Sequence, residues 1–213
     1  MQLTRFKAMG RLRRRYLTAL LVIAAVLLVA VPSVLASPAV RVGSAVSPRS
    51  LVLHVKDLPP SFTGFIEKGV TVPNIAVTNV DHVDVATITR HGRITGYETI
   101  LGSKGRAHPL SIMDDVSLFR SVAGAHWQYE TFIHAQPAPP HARPLSLAGV
   151  GDEATGYFLS SNATGLYTAV NALVYFRRGT YDARVYILGY RPLPPEDVVQ
   201  LARTLDGRIK RTG

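Results

Sequence analysis

The first 36 residues constrain this chain more than any other part of its sequence. Six basic residues and no acid stand in the first 16 positions, and an uncharged stretch rich in Leu, Val and Ala runs from Leu17 to Ala36. A basic segment followed by an apolar one is typical of a secretory signal. Pro32 interrupts the apolar stretch, and small residues precede Ser37. We therefore expect residues 1–36 to direct export, with cleavage after Ala36.

The same stretch also suits an uncleaved membrane anchor. About 20 apolar residues are enough to cross a hydrocarbon core of roughly 30 Å. The positive charge before them would keep the N-terminus in the cytoplasm, so the rest of the chain is exported in either case. We expect an extracytoplasmic protein that is secreted or held on the outer face of the cytoplasmic membrane. Arg13, Arg14 and Arg15 also fit a loose twin-arginine signal, which leaves the export route open.

The high positive charge belongs largely to this N-terminal segment. The 213 residues include 24 basic and 14 acidic side chains, of which six basic ones and no acid precede Ser37. The remainder therefore has a formal charge of +4, spread over scattered residues, and an exported protein rarely meets nucleic acid. We expect no nucleic-acid partner. The absence of cysteine also excludes a disulfide framework, a thiolate metal site and lipid attachment at a cysteine.

Composition and periodicity divide the remainder into a linker and one domain. Residues 37–50 are rich in Ser, Pro, Ala and Val without a regular period, which predicts a flexible linker. Residues 51–213 are expected to form a single domain. The predicted elements are a strand at 51–56, a helix at 74–90 ended by Gly92, a strand at 93–101, a helix from 111 to 135, strands at 152–160, 166–176 and 181–188, and a helix after Pro194.

Two observations decide the predicted arrangement of these elements. Ser111 followed by Asp114 and Asp115 is typical of a helix start, and Ile112 and Val116 continue at helical spacing. The last three strands are joined by short turns rather than by crossover helices, which favours antiparallel pairing. The sequence therefore predicts an α+β fold with a largely antiparallel sheet and helices packed on it.

Several short strings of the chain are familiar in combination. They are Asp57-Leu58-Pro59-Pro60, the run from Gly92 to Glu98, Val150-Gly151-Asp152-Glu153-Ala154, Phe176-Arg177-Arg178-Gly179 and the run from Leu201 to Ile209. Over roughly residues 51–211 the set resembles a group of uncharacterised exported bacterial proteins and lipoproteins. It resembles more distantly the extracytoplasmic sensor-like or PsbP-like α+β domains. The resemblance implies export and an α+β fold but no activity, and this chain lacks the cysteine of the lipoprotein members.

One spacing suggests a metal site. His126, Glu130 and His134 lie four residues apart, so on a continuous helix they stack one turn above another. Two imidazoles and a carboxylate suit Zn²⁺, and His141 is the obvious local fourth ligand. The alternative is a polar flank of the helix, because the tighter His-Glu-x-x-His signature is absent.

Other candidate groups have structural interpretations. Acids near Asp84 and Asp114 fit solvated surface or helix capping. Asp152 with Glu153 fits a turn that binds backbone amides, and the alternative is an acidic turn that lines a ligand groove. The sequence has no Gly-x-Ser-x-Gly elbow, P-loop or Gly-x-Gly-x-x-Gly string, so we expect no nucleotide or other cofactor. Tyrosines such as Tyr175 and Tyr186 either line a groove between helix and sheet or belong to the core.

These observations support three hypotheses about function. The first is a non-enzymatic extracytoplasmic domain that binds a small ligand or an envelope protein and meets the membrane, at least transiently, through its N-terminal segment. The second is a metal-dependent or acid–base hydrolase of envelope material that uses His126, Glu130 and His134. The third is an accessory or assembly factor without a ligand pocket.

Overall fold

The computed structural model describes residues 46–60, 62–81, 83–104, 111–138, 142–160, 170–189 and 194–212. The predicted signal or anchor segment and most of the predicted linker lie outside these ranges. Within them, no helix is both long enough and apolar enough to cross a bilayer. The last five residues of the predicted linker, Val46–Ser50, include a short 3₁₀ turn at Pro48–Ser50, and Pro48 is buried.

The described residues form one antiparallel sheet of seven strands in the order β1-β2-β3-β7-β6-β5-β4. The strands are β1 Phe65–Thr71, β2 Arg93–Ser103, β3 Ser111–Phe119, β4 Arg143–Pro144, β5 Glu153–Ser160, β6 Val170–Arg178 and β7 Tyr181–Gly189. Every neighbouring pair is antiparallel. Four helices accompany the sheet: α1 Asn74–Asp81, α2 Val85–Arg90, α3 Val122–Ala135 and α4 Pro195–Lys210. The predicted α+β fold is confirmed.

The larger core lies between the sheet and α4. Helix α4 buries the apolar stripe that its sequence predicts, including Leu201 and Leu205, against Val174, Phe176 and other strand residues. The segment Leu51–Leu53 completes this core. Because every buried residue of both cores lies between Leu51 and Ile209, a chain that starts at Ser37 contains the complete described core.

A smaller core lies on the opposite face of the sheet, under α3. Tyr129 and Phe132 of α3 pack on Leu173 and Tyr175 of β6. Side chains alternate between the faces of a strand, so these two β6 residues point away from Val174 and the larger core. The sheet therefore has an α4 face, which is apolar, and an α3 face.

The prediction that a helix starts at Ser111 is wrong, because residues 111–119 form strand β3. A spacing of four is even, so Ile112 and Val116 share a face in a strand as well as in a helix. Pairing with both β2 and β7 decides the outcome, because it satisfies the backbone on both edges. The helix begins only at Val122, where the Ser121 side chain accepts a hydrogen bond from the Gly124 amide at 3.1 Å.

The strand predicted at 51–56 is also wrong. Leu51, Val52 and Leu53 are all buried instead of alternating, and a 3₁₀ turn follows at Val55–Asp57. The helix predicted at 74–90 is divided into α1 and α2, because the Asp84 carboxylate caps a new helix by accepting the Thr87 amide at 2.8 Å. The remaining predicted strands agree with β2, β5, β6 and β7 within a few residues, apart from residues 166–169, which lie outside the described ranges.

Candidate functional site

A row of polar side chains crosses the α3 face at the centre of the sheet. The strand register places Glu98 of β2 opposite Asp115 of β3, and Asp115 opposite Arg184 of β7. Tyr175 of β6 is opposite Arg184 in turn. Directly opposite residues of neighbouring strands project from the same face. The register therefore gathers two carboxylates and one guanidinium on the face that α3 covers only in part.

Arg184 is bound on two sides. Its Nε atom donates to Asp115 Oδ2 at 2.6 Å, and both side chains are 14% exposed. The guanidinium also lies 5.0 Å from the centre of the Phe132 ring of α3, a cation–π distance. A charge-assisted hydrogen bond with this little solvent access fixes both side chains.

Glu98 has a different environment from Asp115. Its side chain is partly exposed, and burial raises the pKa of Glu98 to about 7, with a further increase from Asp115 and an opposing decrease from Arg184. Arg184 Nε is bonded to Asp115. Glu98 therefore changes its charge near neutral pH, and ionised Glu98 adds a second negative charge beside Arg184.

Apolar side chains border this row. Three apolar or aromatic side chains stand opposite one another on β2, β3 and β7, two residues along each strand from the polar row: Ile100, Met113 and Tyr186. Each is partly exposed, and Tyr186 packs at the margin of the α3 core. Burial raises the pKa of the Tyr186 hydroxyl, so this phenol stays neutral. We call the six residues Glu98, Ile100, Met113, Asp115, Arg184 and Tyr186 the floor.

Helix α3 is held beside the floor by a buried polar contact. The Tyr175 hydroxyl lies 2.9 Å from Asp182 Oδ2 and 3.1 Å from the Gln128 carbonyl oxygen. The Tyr175 ring stacks on Tyr129 with centroids 5.3 Å apart and lies 4.2 Å from Phe132. Hydrogen bonding and ring packing at one point fix the position of α3 on the sheet.

The structure divides the predicted metal-binding triple. His126 Nδ1 lies 2.8 Å from Glu153 Oε2 of β5, whereas His134 Nε2 lies 3.6 Å from Glu130 Oε2. Within the described ranges, no three His, Asp or Glu side chains form a group suited to a metal ion. His141, the fourth ligand considered, lies outside those ranges. The metal site stays a prediction; the Glu153 contact uses only Nδ1 of His126 and leaves its Nε2 atom for a metal ion.

The adjacent acids Asp114 and Asp115 have opposite orientations because β3 is a strand. Asp114 is buried on the α4 face, where its two oxygens accept the Leu53 amide at 3.1 and 2.9 Å. Burial raises the pKa of Asp114 well above its usual range, against the Leu53 hydrogen bond, which lowers it. Asp114 therefore fastens the N-terminal segment to the sheet, and Asp115 belongs to the floor.

Asp84 and Asp152 have the structural roles expected of them, whereas Glu153 binds the side chains of Arg177 and His126 instead of backbone amides. Asp84 caps α2, and its hydrogen bonds to Thr87 lower the pKa of the carboxyl group. Asp152 accepts the Gly179 amide at 2.8 Å in the turn between β6 and β7, and it also binds Arg177 at 3.0 Å. The side chains of Asp81 and His82 lie outside what the structure describes.

Glu98 and Arg184 were not among the residues singled out from sequence. The signal available was a charged residue at an alternating position in an otherwise apolar strand, such as Arg184 between Ala183 and Val185. That signal does not say which strands are neighbours. Asp115 and Arg184 are 69 residues apart in sequence, and only the sheet order brings them together.

Comparison with known proteins gives a match at the level of the fold. No family model matches the chain, and no curated protein matches it. Among solved structures, the chain is similar to the extracellular domain of PknH from Mycobacterium tuberculosis, with a TM-score of 0.55 and 10% identity. The match covers 79% of this chain and 100% of that one. At this identity the likeness establishes a shared α+β fold, which agrees with the resemblance to extracytoplasmic sensor-like domains.

Proposed function

We propose that this chain is an exported binding domain that takes up a small ligand at its floor without converting it chemically. Two observations support the location. The N-terminal segment has the pattern of an export signal, and the solved structure of similar fold is named as an extracellular domain. An envelope protein that inserts a side chain of the same chemistry is the alternative ligand source.

The observation that carries the proposal is the composition of the floor. Two carboxylates lie beside Arg184, whose Nε binds one of them, Asp115, and Lys68 stands opposite Ile100 at the edge of the same face. Ile100, Met113 and Tyr186 provide an apolar surface beside Glu98. Binding sites of small molecules combine such an apolar lining with a few polar groups that fix orientation. The floor therefore suits an amine that carries an apolar or aromatic body.

The proposal is tested with phenethylamine and its uncharged analogue 2-phenylethanol. Both are added to the isotopically labelled chain 37–213 near pH 8, where Glu98 is ionised, and amide shifts are followed by NMR. We expect the amine, and not the alcohol, to shift the amides of the six floor residues. Glu98→Gln should weaken the effect about tenfold, which corresponds to the loss of one charge-assisted hydrogen bond.

Glu196→Gln is the matched control, since Glu196 is an exposed acid on α4, away from the α3 face. It should leave the shifts unchanged. Equal shifts from the amine and the alcohol, shifts scattered outside the floor, or full binding in the Glu98→Gln variant would contradict the proposal.

A further inference from the structure

The described chain enters the domain at one end of the sheet. We call this the tether end: it is where β2 and β7 begin and where β3 and β6 end, because Arg93 pairs with Phe119, and Tyr181 pairs with Leu118 and Arg178. The Tyr181 hydroxyl donates a hydrogen bond to the Val46 carbonyl oxygen at 3.0 Å. The first described residue is therefore fastened at the tether end.

Exposed basic side chains from several elements meet at this end. They are Arg90, Arg120, Lys210 and Arg211. Arg90 ends α2 just before β2 starts, and the Arg120 amide donates to the Gly92 carbonyl oxygen at 2.9 Å. Lys210 and Arg211 end α4 about one turn beyond Asp206, which binds Arg178 at the end of β6.

Of the acids described at the tether end, Asp152, Glu153 and Asp206 are bound to other arginines, and Asp182 is buried and accepts a hydrogen bond from the Tyr175 hydroxyl. Asp152 binds Arg177 and Arg178, Asp206 binds Arg178, and Glu153 binds Arg177. Among the residues that the structure describes, none of these four exposed basic side chains has an acidic partner. Their positive charge is therefore available to an external partner.

Apolar and aromatic side chains accompany these charges. Val122, two residues after Arg120, is 52% exposed. Beside Arg90, the His91 ring stacks on the partly exposed Trp127 with centroids 3.8 Å apart. Basic residues with exposed apolar and tryptophan side chains are typical of surfaces that contact the headgroup region of a bilayer.

We propose that the tether end docks on the surface of an anionic lipid bilayer. Basic residues close to such a surface are attracted to it, and removing one such charge weakens binding about fivefold. The predicted linker before Val46 adds a reason. Residues 37–45 span at most about 30 Å when fully extended, so an anchored chain keeps the tether end close to the membrane and raises its effective concentration there. This proposal does not depend on the ligand proposed for the floor.

The test measures sedimentation of the chain 37–213 with lipid vesicles, so that the apolar stretch 17–36 does not contribute. One set of vesicles is phosphatidylcholine alone, and the other contains roughly one third phosphatidylglycerol. We expect binding to the anionic vesicles that is strongly reduced on neutral ones. The variant with Arg90, Arg120, Lys210 and Arg211 all changed to Gln should lose more than a hundredfold in partition coefficient.

A second quadruple variant separates position from net charge. It changes Lys68, Lys104, Arg143 and Arg203 to Gln, four exposed basic residues outside the tether end. Both variants lose four positive charges, and we expect the second one to keep most of the binding. Equal losses in the two variants would mean that net charge alone attracts the protein, and equal binding of the unmodified chain to both vesicle types would mean that it is not attracted to anionic lipid. Either result overturns the proposal.

Discussion

The Glu98 carboxyl group should make the stability of this domain depend on pH. Burial raises the pKa of Glu98 from 4.5 to about 7 in the folded chain. An acid whose folded pKa is raised holds its proton more tightly when folded, so its contribution to stability is complete below pH 4.5 and is lost as the pH rises towards 7. The shift corresponds to about 3 kcal/mol in the free energy of unfolding, and this is an upper bound because the side chain is partly exposed.

Glu98→Gln keeps the shape of the neutral acid and removes its ionisation. We therefore expect the variant to equal the parent chain near pH 4 and to exceed it by about 2 to 3 kcal/mol near pH 8. Urea unfolding of the chain 37–213 at both pH values measures this difference. Trp127 is the single tryptophan and lies in α3, so its fluorescence reports unfolding of the described domain.

The control is again Glu196→Gln, on the first turn of α4. Loss of this exposed charge should change stability by less than about 1 kcal/mol at either pH. A gain from Glu98→Gln that is the same at both pH values would show that packing rather than charge is responsible. A loss of stability near pH 8 would refute the reasoning, because it would mean that ionised Glu98 stabilises the fold through Arg184.

Two further predictions concern packing of the described domain. Asp114→Ala should lower the free energy of unfolding, measured in urea, by about 2 to 4 kcal/mol because the buried Leu53 amide loses its acceptor. Asp114→Asn keeps an acceptor oxygen and should lower it much less. Equal losses in the two variants would contradict this role. Gly124→Ala should lower the thermal midpoint because its Cβ would lie 2.1 Å from the His91 carbonyl oxygen. Gly207→Ala, whose Cβ would have nothing nearer than 3.8 Å, should raise the free energy of unfolding by about 0.5 to 1 kcal/mol. Stabilisation by both substitutions would refute the close contact at Gly124.

The elements that sequence patterns predict well are those whose period has one interpretation. The apolar stripe of α4 repeats over four turns and has Pro195, Glu196 and Asp197 at its start, so the pattern predicts both a helix and the residue at which it begins. The turn between β6 and β7 is also predicted correctly. Gly179 marks it in the sequence, and in the structure this glycine adopts a φ of 56°, which glycine tolerates at no steric cost. These elements sufficed for the antiparallel α+β fold.

Strand β3 shows where local reasoning fails. Ser111, Asp114 and Asp115 satisfy the rules for a helix start, and Ile112 and Val116 satisfy two periods at once. What selects the strand is hydrogen bonding to β2 on one edge and β7 on the other. That information lies in other parts of the chain, more than 60 residues away for β7.

Sequence patterns do not predict the floor, for the same reason. A helix over residues 111–119 would also place Asp115 away from the strand residues that it contacts in the sheet. On a helix, Asp114 and Asp115 would both serve the positive end of the dipole. On a strand, one step along the chain reverses the side chain. Asp114 then reaches Leu53 in the N-terminal segment, and Asp115 reaches Arg184 in the floor. Substituting each acid separately therefore tests two different parts of the molecule: Asp114 reports on attachment of the N-terminal segment, whereas Asp115 reports on ligand binding beside Glu98.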